Sequence, residues 1–355
     1  MSLDDLRRHI DELDFRIVRL IAERMEVSRQ IGEEKRETGK PVYDGAREQW
    51  VLERVKNAAR DANLLPGEIE KIYRQLFLMS KGFQGITVAF QGEMGAYSEE
   101  ASYQYFGSGT RLQPCESLEE VFQAVDMEEA KYGLVPAENS LEGSIPRSYD
   151  LLLDSNLKVR GETQLRIIHC LISLPEAQID SIREVYSHPQ ALGQSKTFLK
   201  QMGWKQVPTY DTAGSVKLIK ESATIEKAAI ASARAAEIYG MKVLVRGIED
   251  NANNFTRFFV LGKEDAPASG VDKTSIVFSV KHQPGALYEA LKELAVRKIN
   301  LTKIESRPTR QKPWEYNFYV DFEGHREDSA VKEALVCLGN SAIFVKILGS
   351  YPRVI

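Results

Sequence analysis

Residues 6–31 read LRRHIDELDFRIVRLIAERMEVSRQI. Apolar side chains recur here at spacings of three and four, with one wider gap, and they are Leu6, Ile10, Leu13, Ile17, Leu20, Val27 and Ile31. That spacing predicts one amphipathic helix of more than 30 residues. A helix this long is unusual in a small domain, so we expect other long helices or a partner chain to cover its apolar stripe.

The helical pattern continues after a break at Gly39-Lys40-Pro41. Asp44 is the expected N-cap of a second helix, which runs to about residue 63, because its carboxylate can accept hydrogen bonds from first-turn amides. The turn at residues 65–67 leads into a third helix over residues 68–83. The first 84 residues are therefore predicted to be all-helical.

Composition excludes several classes of protein. The 355 residues, 43% hydrophobic and 28% charged, predict two or three globular domains, and the net charge of -4 indicates neither nucleic acid nor a membrane surface as partner. The longest apolar run, residues 167–174, is far shorter than the ~20 residues of a membrane span. Three scattered cysteines predict neither disulfides nor a zinc site, and no signal peptide is visible. We expect a cytoplasmic protein without metal or cofactor.

From residue 85 onward, short β-rich runs alternate with helical patterns. Predicted strands cover residues 86–90, 132–136, 167–173, 184–187, 228–231 and 257–262, and predicted helices cover 118–130, 191–202, 213–221 and 233–239. This alternation predicts an α/β domain with largely parallel sheets, long enough for two lobes with a cleft between them.

A polar stretch at residues 263–273 (KEDAPASGVDK) is the expected linker to the last segment. Residues 275–351 then follow a βαββαβ order, typical of a small α+β ferredoxin-like sandwich. That order by itself implies no function.

Cations occupy unusual positions in the first helix. Arg24 lies on the apolar stripe, where an unpaired charge is costly. Lys35 lies three turns later on the same face, about 16 Å away, so the two cations are suited to hold a small dicarboxylate. Arg7 lies about 25 Å from Arg24 along the axis and can serve an equivalent site only from an antiparallel partner chain. Each charge alone also fits the solvated surface of a helical bundle.

Residues 1–84 resemble the all-helical chorismate mutase family. The matching substrate-contacting positions are Arg7, Arg24, Lys35, Asp44, Arg47, Glu48, Ser80 and Gln84. The resemblance implies an intertwined dimer that rearranges chorismate to prephenate by holding the compact conformer of the substrate. It implies that Arg7 of the partner chain, Arg24 and Arg47 bind the two carboxylates. Lys35 and Gln84 would stabilise the breaking ether oxygen, and Asp44 and Glu48 would hold the ring hydroxyl.

Four polar motifs fall where predicted strands meet loops or helices, the usual place for a site in an α/β domain. They are residues 92–98 (GEMGAYS), 135–140 (VPAENS), 187–194 (SHPQALGQ) and 251–258 (NANNFTRF). Ser187 and His188 are neighbours whose side chains diverge, and no G-x-S-x-G elbow is present, so a Ser–His hydrolase is disfavoured. We expect His188 to have a structural role at a helix start.

Residues 85–265 resemble prephenate dehydratase, with its signature present as Thr256-Arg257-Phe258. The resemblance implies a cleft between two lobes arranged like a periplasmic binding protein. Thr256 would be the general acid that protonates the departing ring hydroxyl as CO2 leaves. Arg257 would pair with a carboxylate, and Phe258 would pack the site. The side chains that orient the substrate would be Asn139, Ser187, Gln190 and Gln194.

The last segment carries two short motifs, Gly285-Ala286-Leu287 at a helix start and Glu305-Ser306-Arg307-Pro308 at a strand end. A turn glycine and an edge-strand end would account for either motif alone. Beside a dehydratase, both resemble the ACT domain, which implies phenylalanine binding at a dimer interface. A glycine at a helix start lets a carboxylate approach bare amides.

Together the segments resemble the bifunctional chorismate mutase/prephenate dehydratases. We expect a helical mutase domain over 1–84, a dehydratase domain over 85–265 and an ACT domain over 274–355 that lets phenylalanine inhibit the dehydratase. The expected assembly is at least a homodimer, and symmetry also allows a tetramer. Two alternatives remain open: a middle domain that acts on arogenate, and a non-catalytic sensor of prephenate or an amino acid.

Overall fold

The computed structural model describes residues 2–37, 45–83, 86–309 and 314–354. It divides into two compact units, one formed by residues 1–88 with 102–112 and the other by residues 89–101 with 113–355. The predicted break at Gly39-Lys40-Pro41 and the predicted cap Asp44 lie outside the described residues. No described helix is both long and apolar enough to cross a membrane.

Three helices make up most of the first unit: α1 (Leu3–Glu37), α2 (Gly45–Asp61) and α3 (Pro66–Phe83). The prediction of a first helix longer than 30 residues is confirmed. Its carboxyl-terminal half contacts α3, and Met25, Leu52 and Phe77 are buried, one from each helix. The apolar stripe, by contrast, is exposed along its whole length, from 38% at Leu13 to 63% at Leu20.

Residues 87–262 form two lobes, each built on a β-sheet. The first lobe consists of β1 (Thr87–Gln91), α4 (Tyr97–Phe106), β2 (Arg111–Cys115), α5 (Leu118–Asp126), β3 (Tyr132–Asn139), β4 (Gly143–Ser144), α6 (Pro146–Asp154), β5 (Lys158–Arg166) and β11 (Phe255–Gly262). Its strand order is β2-β1-β3-β11-β5, with β4 beside β3.

The second lobe lies between β5 and β11 in the chain. It consists of β6 (Cys170–Ser173), β7 (Glu184–Ser187), α7 (Pro189–Gln194), α8 (Lys196–Met202), β8 (Lys205–Pro208), α9 (Thr212–Ser222), β9 (Lys227–Ala231), α10 (Ala233–Tyr239) and β10 (Lys242–Arg246). Its strand order is β10-β6-β9-β7-β8.

The prediction of largely parallel sheets is wrong, because both sheets are mixed. β7 pairs in parallel with β8 and β9, whereas β6 is antiparallel to β9 and β10. In the first lobe, β11 is antiparallel to both β3 and β5. The physical reason is the chain path: it leaves the first lobe at the end of β5 and returns as β11, which therefore runs against its neighbours.

The last segment has the predicted βαββαβ order. Its elements are β12 (Asp272–Ser279), α11 (Ala286–Ala295), β13 (Leu301–Pro308), β14 (Tyr316–Glu323), α12 (Ser329–Ser341) and β15 (Phe344–Pro352). The antiparallel strand order is β13-β14-β12-β15. Strand alternation sends Ile276 and Phe278 to a core beneath the two helices.

The opposite face of this sheet packs on the first lobe. Val277, Tyr319 and Tyr351 share one buried core with Tyr149 and Phe259 of that lobe. Gly349 of β15 lies so close to β5 that an added Cβ would overlap the backbone of Val159. We call the sheet formed by β12 to β15 the ACT-like sheet. Its face that carries Val277, Tyr319 and Tyr351 is the docked face.

Candidate functional site

A cavity of about 190 Å³ brings together residues from all four polar motifs. Its lining includes Tyr97, Ser98, Asn139, Gln190, Gln194, Thr256 and Phe258. Both lobes contribute, because Asn139 and Thr256 come from the first sheet while Gln190 and Gln194 follow a strand of the second. The structure therefore gathers five of the residues predicted for this site from the sequence.

Thr256 and Asn139 face each other across β11 and β3. The Asn139 Nδ2 group donates to Thr256 Oγ1 at 3.1 Å, while Asn139 Oδ1 accepts from the backbone amides of Leu141 and Glu142. Those two amides fix the orientation of the Asn139 side chain. The Thr256 oxygen thus has a donor of its own, and its hydroxyl hydrogen is available to a group in the cavity.

A chain of hydrogen bonds continues from Asn139 to a buried histidine. Asn139 Nδ2 donates to Asn254 Oδ1 at 2.8 Å, and Asn254 Nδ2 donates to Gln194 Oε1 at 2.8 Å. Gln194 Oε1 also lies 3.0 Å from His169 Nε2, and the Tyr97 hydroxyl lies 2.8 Å from His169 Nδ1. Because Gln194 Oε1 is an acceptor, His169 carries its hydrogen on Nε2 and accepts at Nδ1. Burial lowers the pKa of His169, which keeps the ring neutral.

Sequence reasoning missed His169 and Asn254 as members of this network. His169 stood out only as an interruption of the apolar run at residues 167–174. A polar side chain inside a buried strand-like run needs a partner, and that was the available signal. The partners of His169 could not be identified from the sequence, since Gln194 lies 25 positions away and Tyr97 lies 72 positions away.

Arg257 does not line this cavity, so its predicted pairing with a substrate carboxylate stays a prediction. Successive side chains of a strand point to opposite faces, so Arg257 points away from the cavity that Thr256 and Phe258 line. Its guanidinium lies 2.7 Å from Glu162 and 2.7 Å from Asp321, and 3.5 Å from Glu138. Burial lowers the pKa of Arg257, but the combined effect of Tyr351, Asp321 and Glu162 outweighs it and raises the pKa above the usual value.

Ser187 is also outside the cavity, contrary to the prediction. Its side chain is fully buried, and Oγ donates to the Ile230 carbonyl oxygen at 2.6 Å, which ties β7 to β9. The expected structural role of His188 is confirmed: Nδ1 accepts from the Gln190 amide at 3.3 Å and caps α7. Since both side chains are used in this way, they form no Ser–His pair.

Charge in the cavity is sparse. Among the described residues that line it, none is Lys or Arg, and Asp211 is its one carboxylate. Burial raises the pKa of Asp211, whose side chain caps α9 by accepting from the Gly214 amide at 2.7 Å. The amino-terminal end of α4, at Tyr97 and Ser98, also faces the cavity and supplies the positive end of a helix dipole.

The helical unit brings together two of its predicted site residues. Arg24 Nη1 donates to the Leu76 carbonyl oxygen at 3.1 Å and to Ser80 Oγ, and burial lowers the pKa of Arg24. Arg7 is exposed and lies 3.6 Å from Asp4 on its own helix. Arg47 packs over the Trp50 ring at 4.1 Å, one residue before Glu48. Asp44, Gln84 and the side chain of Lys35 lie outside the described residues.

Side chains alternate along β13, so the four residues of the predicted phenylalanine motif, 305–308, point to two different faces of the sheet. Glu305 and Arg307 belong to the docked face, where Glu305 contacts Ser144 and Arg307 donates to the Pro146 carbonyl oxygen at 2.6 Å. Ser306 and Pro308 are exposed. Both side chains of the docked face therefore contact the first lobe, and their predicted contact with an effector stays a prediction. Gly285 has φ of +82° and precedes α11, directly before Ala286 and Leu287.

Three family models match the chain in order. They are chorismate mutase type II over residues 6–85, prephenate dehydratase over residues 88–266 and the ACT domain over residues 274–336. A bifunctional chorismate mutase/prephenate dehydratase of Aquifex aeolicus is 37% identical over 357 residues, with 99% of this chain and 98% of the relative covered. An Arabidopsis thaliana arogenate dehydratase/prephenate dehydratase is 41% identical, with 84% and 80% covered.

Two solved structures resemble the larger part of the chain. Prephenate dehydratase from Arthrobacter aurescens, in complex with L-Phe, has a TM-score of 0.70 and 31% identity, with 76% of this chain and 90% of that chain covered. A protein described as a novel type of quorum-quenching acylase has the same TM-score and 35% identity, with 76% and 98% covered. The similarity therefore spans both lobes and extends beyond them.

Proposed function

The chain belongs to the family of bifunctional chorismate mutase/prephenate dehydratases, and from this premise we propose how its residues divide the two reactions. The enzyme rearranges chorismate to prephenate and converts prephenate to phenylpyruvate in phenylalanine biosynthesis. Our proposed domain boundaries are 1–84, 85–265 and 274–355. The matched family segments and the end of β11 at Gly262 support them.

Thr256 is the general acid of the dehydratase. As the ring carboxylate leaves as CO2, its bonding electrons aromatise the ring and expel the hydroxyl group, which Thr256 protonates to water; solvent then returns a proton to Thr256. Asn139 supports this role by donating to Thr256 Oγ1, because that hydrogen bond strengthens as charge develops on the oxygen. This contact at the cavity wall is the observation that carries the proposal.

Prephenate has two carboxylates, and the described lining offers no side-chain cation to pair with them. Gln190, Gln194 and the start of α4 are the donors that support carboxylate binding here. Phe258 packs against the ring. Prephenate is favoured over arogenate because the mutase domain of the same chain makes prephenate; measuring kcat/KM for both compounds tests this directly.

The mutase site requires a second copy of the chain. Arg24 and Arg47 of one protomer, with Arg7 of the other, bind the carboxylates, while Lys35 and Gln84 stabilise the ether oxygen. Asp44 and Glu48 hold the ring hydroxyl, and Ser80 fixes Arg24. The exposed stripe of α1 supports this homodimer, because a stripe of that length is normally buried.

The ACT domain binds phenylalanine and inhibits the dehydratase. The positive φ at Gly285 supports binding at the start of α11, between Gly285, Ala286 and Leu287 of one copy and Ser306 and Pro308 of another. The complex of the Arthrobacter relative with L-Phe also supports this effector. We propose a cytoplasmic location, which the three free cysteines support.

Thr256→Ala tests the proposal when both activities are measured in one preparation. We expect dehydratase turnover to fall by at least about a hundredfold, since general acid catalysis contributes that much, while mutase activity stays near the wild-type value. Thr256→Ser is the matched control, because it keeps the hydroxyl and should keep most of the turnover. Equal losses in both activities, or full dehydratase activity in Thr256→Ala, would refute separate sites with Thr256 as the acid.

A further inference from the structure

On the docked face of the ACT-like sheet, a buried cluster of polar side chains surrounds one arginine of the catalytic strand, Arg257. Arg257 Nη2 donates to Asp321 Oδ2 at 2.7 Å and to the Tyr351 hydroxyl at 3.1 Å. Ser275 completes the cluster, since its Oγ donates to Asp321 Oδ1 at 2.6 Å and lies 2.6 Å from the Tyr351 hydroxyl. Asp321, Ser275 and Tyr351 all belong to the ACT-like sheet, and each is at most 2% exposed.

The ion pair between Arg257 and Asp321 is buried, so the loss of either charge would destabilise the other. A carboxylate as buried as that of Asp321 is costly unless a cation pairs with it. Arg257 is that cation, and on its other side it is held by Glu162 of β5 at 2.7 Å. The guanidinium therefore bridges the catalytic sheet and the ACT-like sheet.

The position of Arg257 in β11 connects this bridge to the reaction. Its neighbours Thr256 and Phe258 line the cavity, and their side chains leave the same strand in the opposite direction. Its cross-strand partner Glu138 precedes Asn139, the donor to Thr256. A small displacement of this strand moves the general acid, and sub-ångström misplacement of such a group is enough to slow a reaction.

We propose that Arg257 is a positioning residue for dehydration, and that Asp321 of the ACT-like sheet holds it in place. The catalytic geometry at Thr256 thus depends on a carboxylate outside the catalytic domain. This inference rests on the proposed role of Thr256 as the general acid. It assigns Arg257 a function that does not involve contact with a substrate carboxylate.

The two possible roles of Arg257 predict different kinetics with prephenate. If Arg257 positions Thr256, Arg257→Gln lowers kcat by about tenfold and leaves KM within about twofold. If Arg257 bound a substrate carboxylate, the same variant would mainly raise KM. Arg257→Lys should recover part of the lost kcat, because it keeps the positive charge next to Asp321.

Asp321→Asn is the decisive variant, because Asp321 does not line the cavity. We expect it to reproduce the fall in kcat, and the double variant with Arg257→Gln to lose no more than the worse single variant. Asp265→Asn is the matched control: it removes a carboxylate that lies 2.9 Å from Arg326 of the ACT-like domain and that does not pair with Arg257, so kcat should not change. Ser275→Ala is a milder second variant, expected to lower kcat less than Asp321→Asn.

Mutase activity and thermal unfolding of each full-length variant report whether the chain is folded. Wild-type kcat in Asp321→Asn and Ser275→Ala, losses that multiply in the double variant, or a KM effect alone in Arg257→Gln would each overturn the inference. If Thr256 is not the general acid, the Thr256→Ala variant, in which Arg257 and Asp321 are intact, will retain dehydratase activity. The two failures are therefore distinguishable.

Discussion

At the scale of single residues, the cavity works through neutral groups whose hydrogens are directed by their neighbours. Thr256 receives a hydrogen bond from Asn139, and Gln194 requires His169 to carry its hydrogen on Nε2. Each donor is fixed by a further partner, so the polar groups are oriented before a substrate arrives. This preorganisation avoids a reorganisation cost during the reaction.

His169 gives this network a dependence on pH. Burial lowers its pKa below the usual 6.5, so the unfolded chain binds a proton at a higher pH than the folded chain does. The stability that neutral His169 contributes is present above pH 6.5 and is lost as pH falls through the lowered pKa. We therefore expect the melting temperature of the wild type to fall more than that of His169→Asn between pH 7 and pH 5. Parallel melting curves would contradict a buried neutral His169, and His9→Asn, an exposed position, is the control.

Sequence reasoning reached Thr256, Asn139, Gln190, Gln194 and Phe258 because each lies in a short motif at the end of an element. It grouped Arg257 with these residues, although strand alternation puts a residue between two cavity residues on the other face of the sheet. It missed His169 because the partners that give a buried histidine its role are distant in sequence. Local pattern carries the direction of a side chain, whereas long-range partners appear only when the chain is folded.

At the scale of elements, the long helix was predictable and several strands were not. The period of α1 is clear because apolar side chains recur along one face, interrupted only at Arg24. β5 was missed since its buried positions include Arg160, Glu162 and Thr163, which hide the alternation of apolar and polar side chains. Glu162 is buried because Arg257 and Lys273 neutralise it, each within 2.8 Å.

The exposed stripe of α1 leads to a prediction about assembly. Ile17→Asp places a charge in the middle of the stripe, so the dimer should weaken and mutase activity should fall by about tenfold or more at micromolar protein, while dehydratase activity remains. Arg19→Asp is the matched control, because it introduces the same side chain off the stripe. Analytical ultracentrifugation measures the dimer; an Ile17→Asp dimer as tight as the wild type would refute burial of the stripe.

At the scale of the whole molecule, a shared mutase site predicts complementation between inactive chains. Arg7→Ala and Lys35→Ala should each abolish most mutase activity, since each damages both sites of its own homodimer. Mixing the two variants allows heterodimers in which one site receives both intact residues, so part of the activity should return, up to about a quarter of the wild-type value if exchange is random. No recovery, with subunit exchange demonstrated by differently tagged chains, would show that Arg7 does not act across the dimer.

The core shared by the first lobe and the docked sheet has a practical consequence for strain engineering. The polar residues 263–271 suggest a place to truncate the chain. Truncation there would remove Tyr319, which packs on Tyr149, and Tyr351, which packs on Phe259. Deleting the ACT domain to remove feedback inhibition would thus expose an apolar face of the first lobe, and the truncated enzyme would aggregate. Strains that overproduce phenylalanine should instead carry point substitutions at exposed positions of the proposed phenylalanine site, such as Ser306 and Pro308. Such substitutions leave the core between the first lobe and the ACT-like sheet intact.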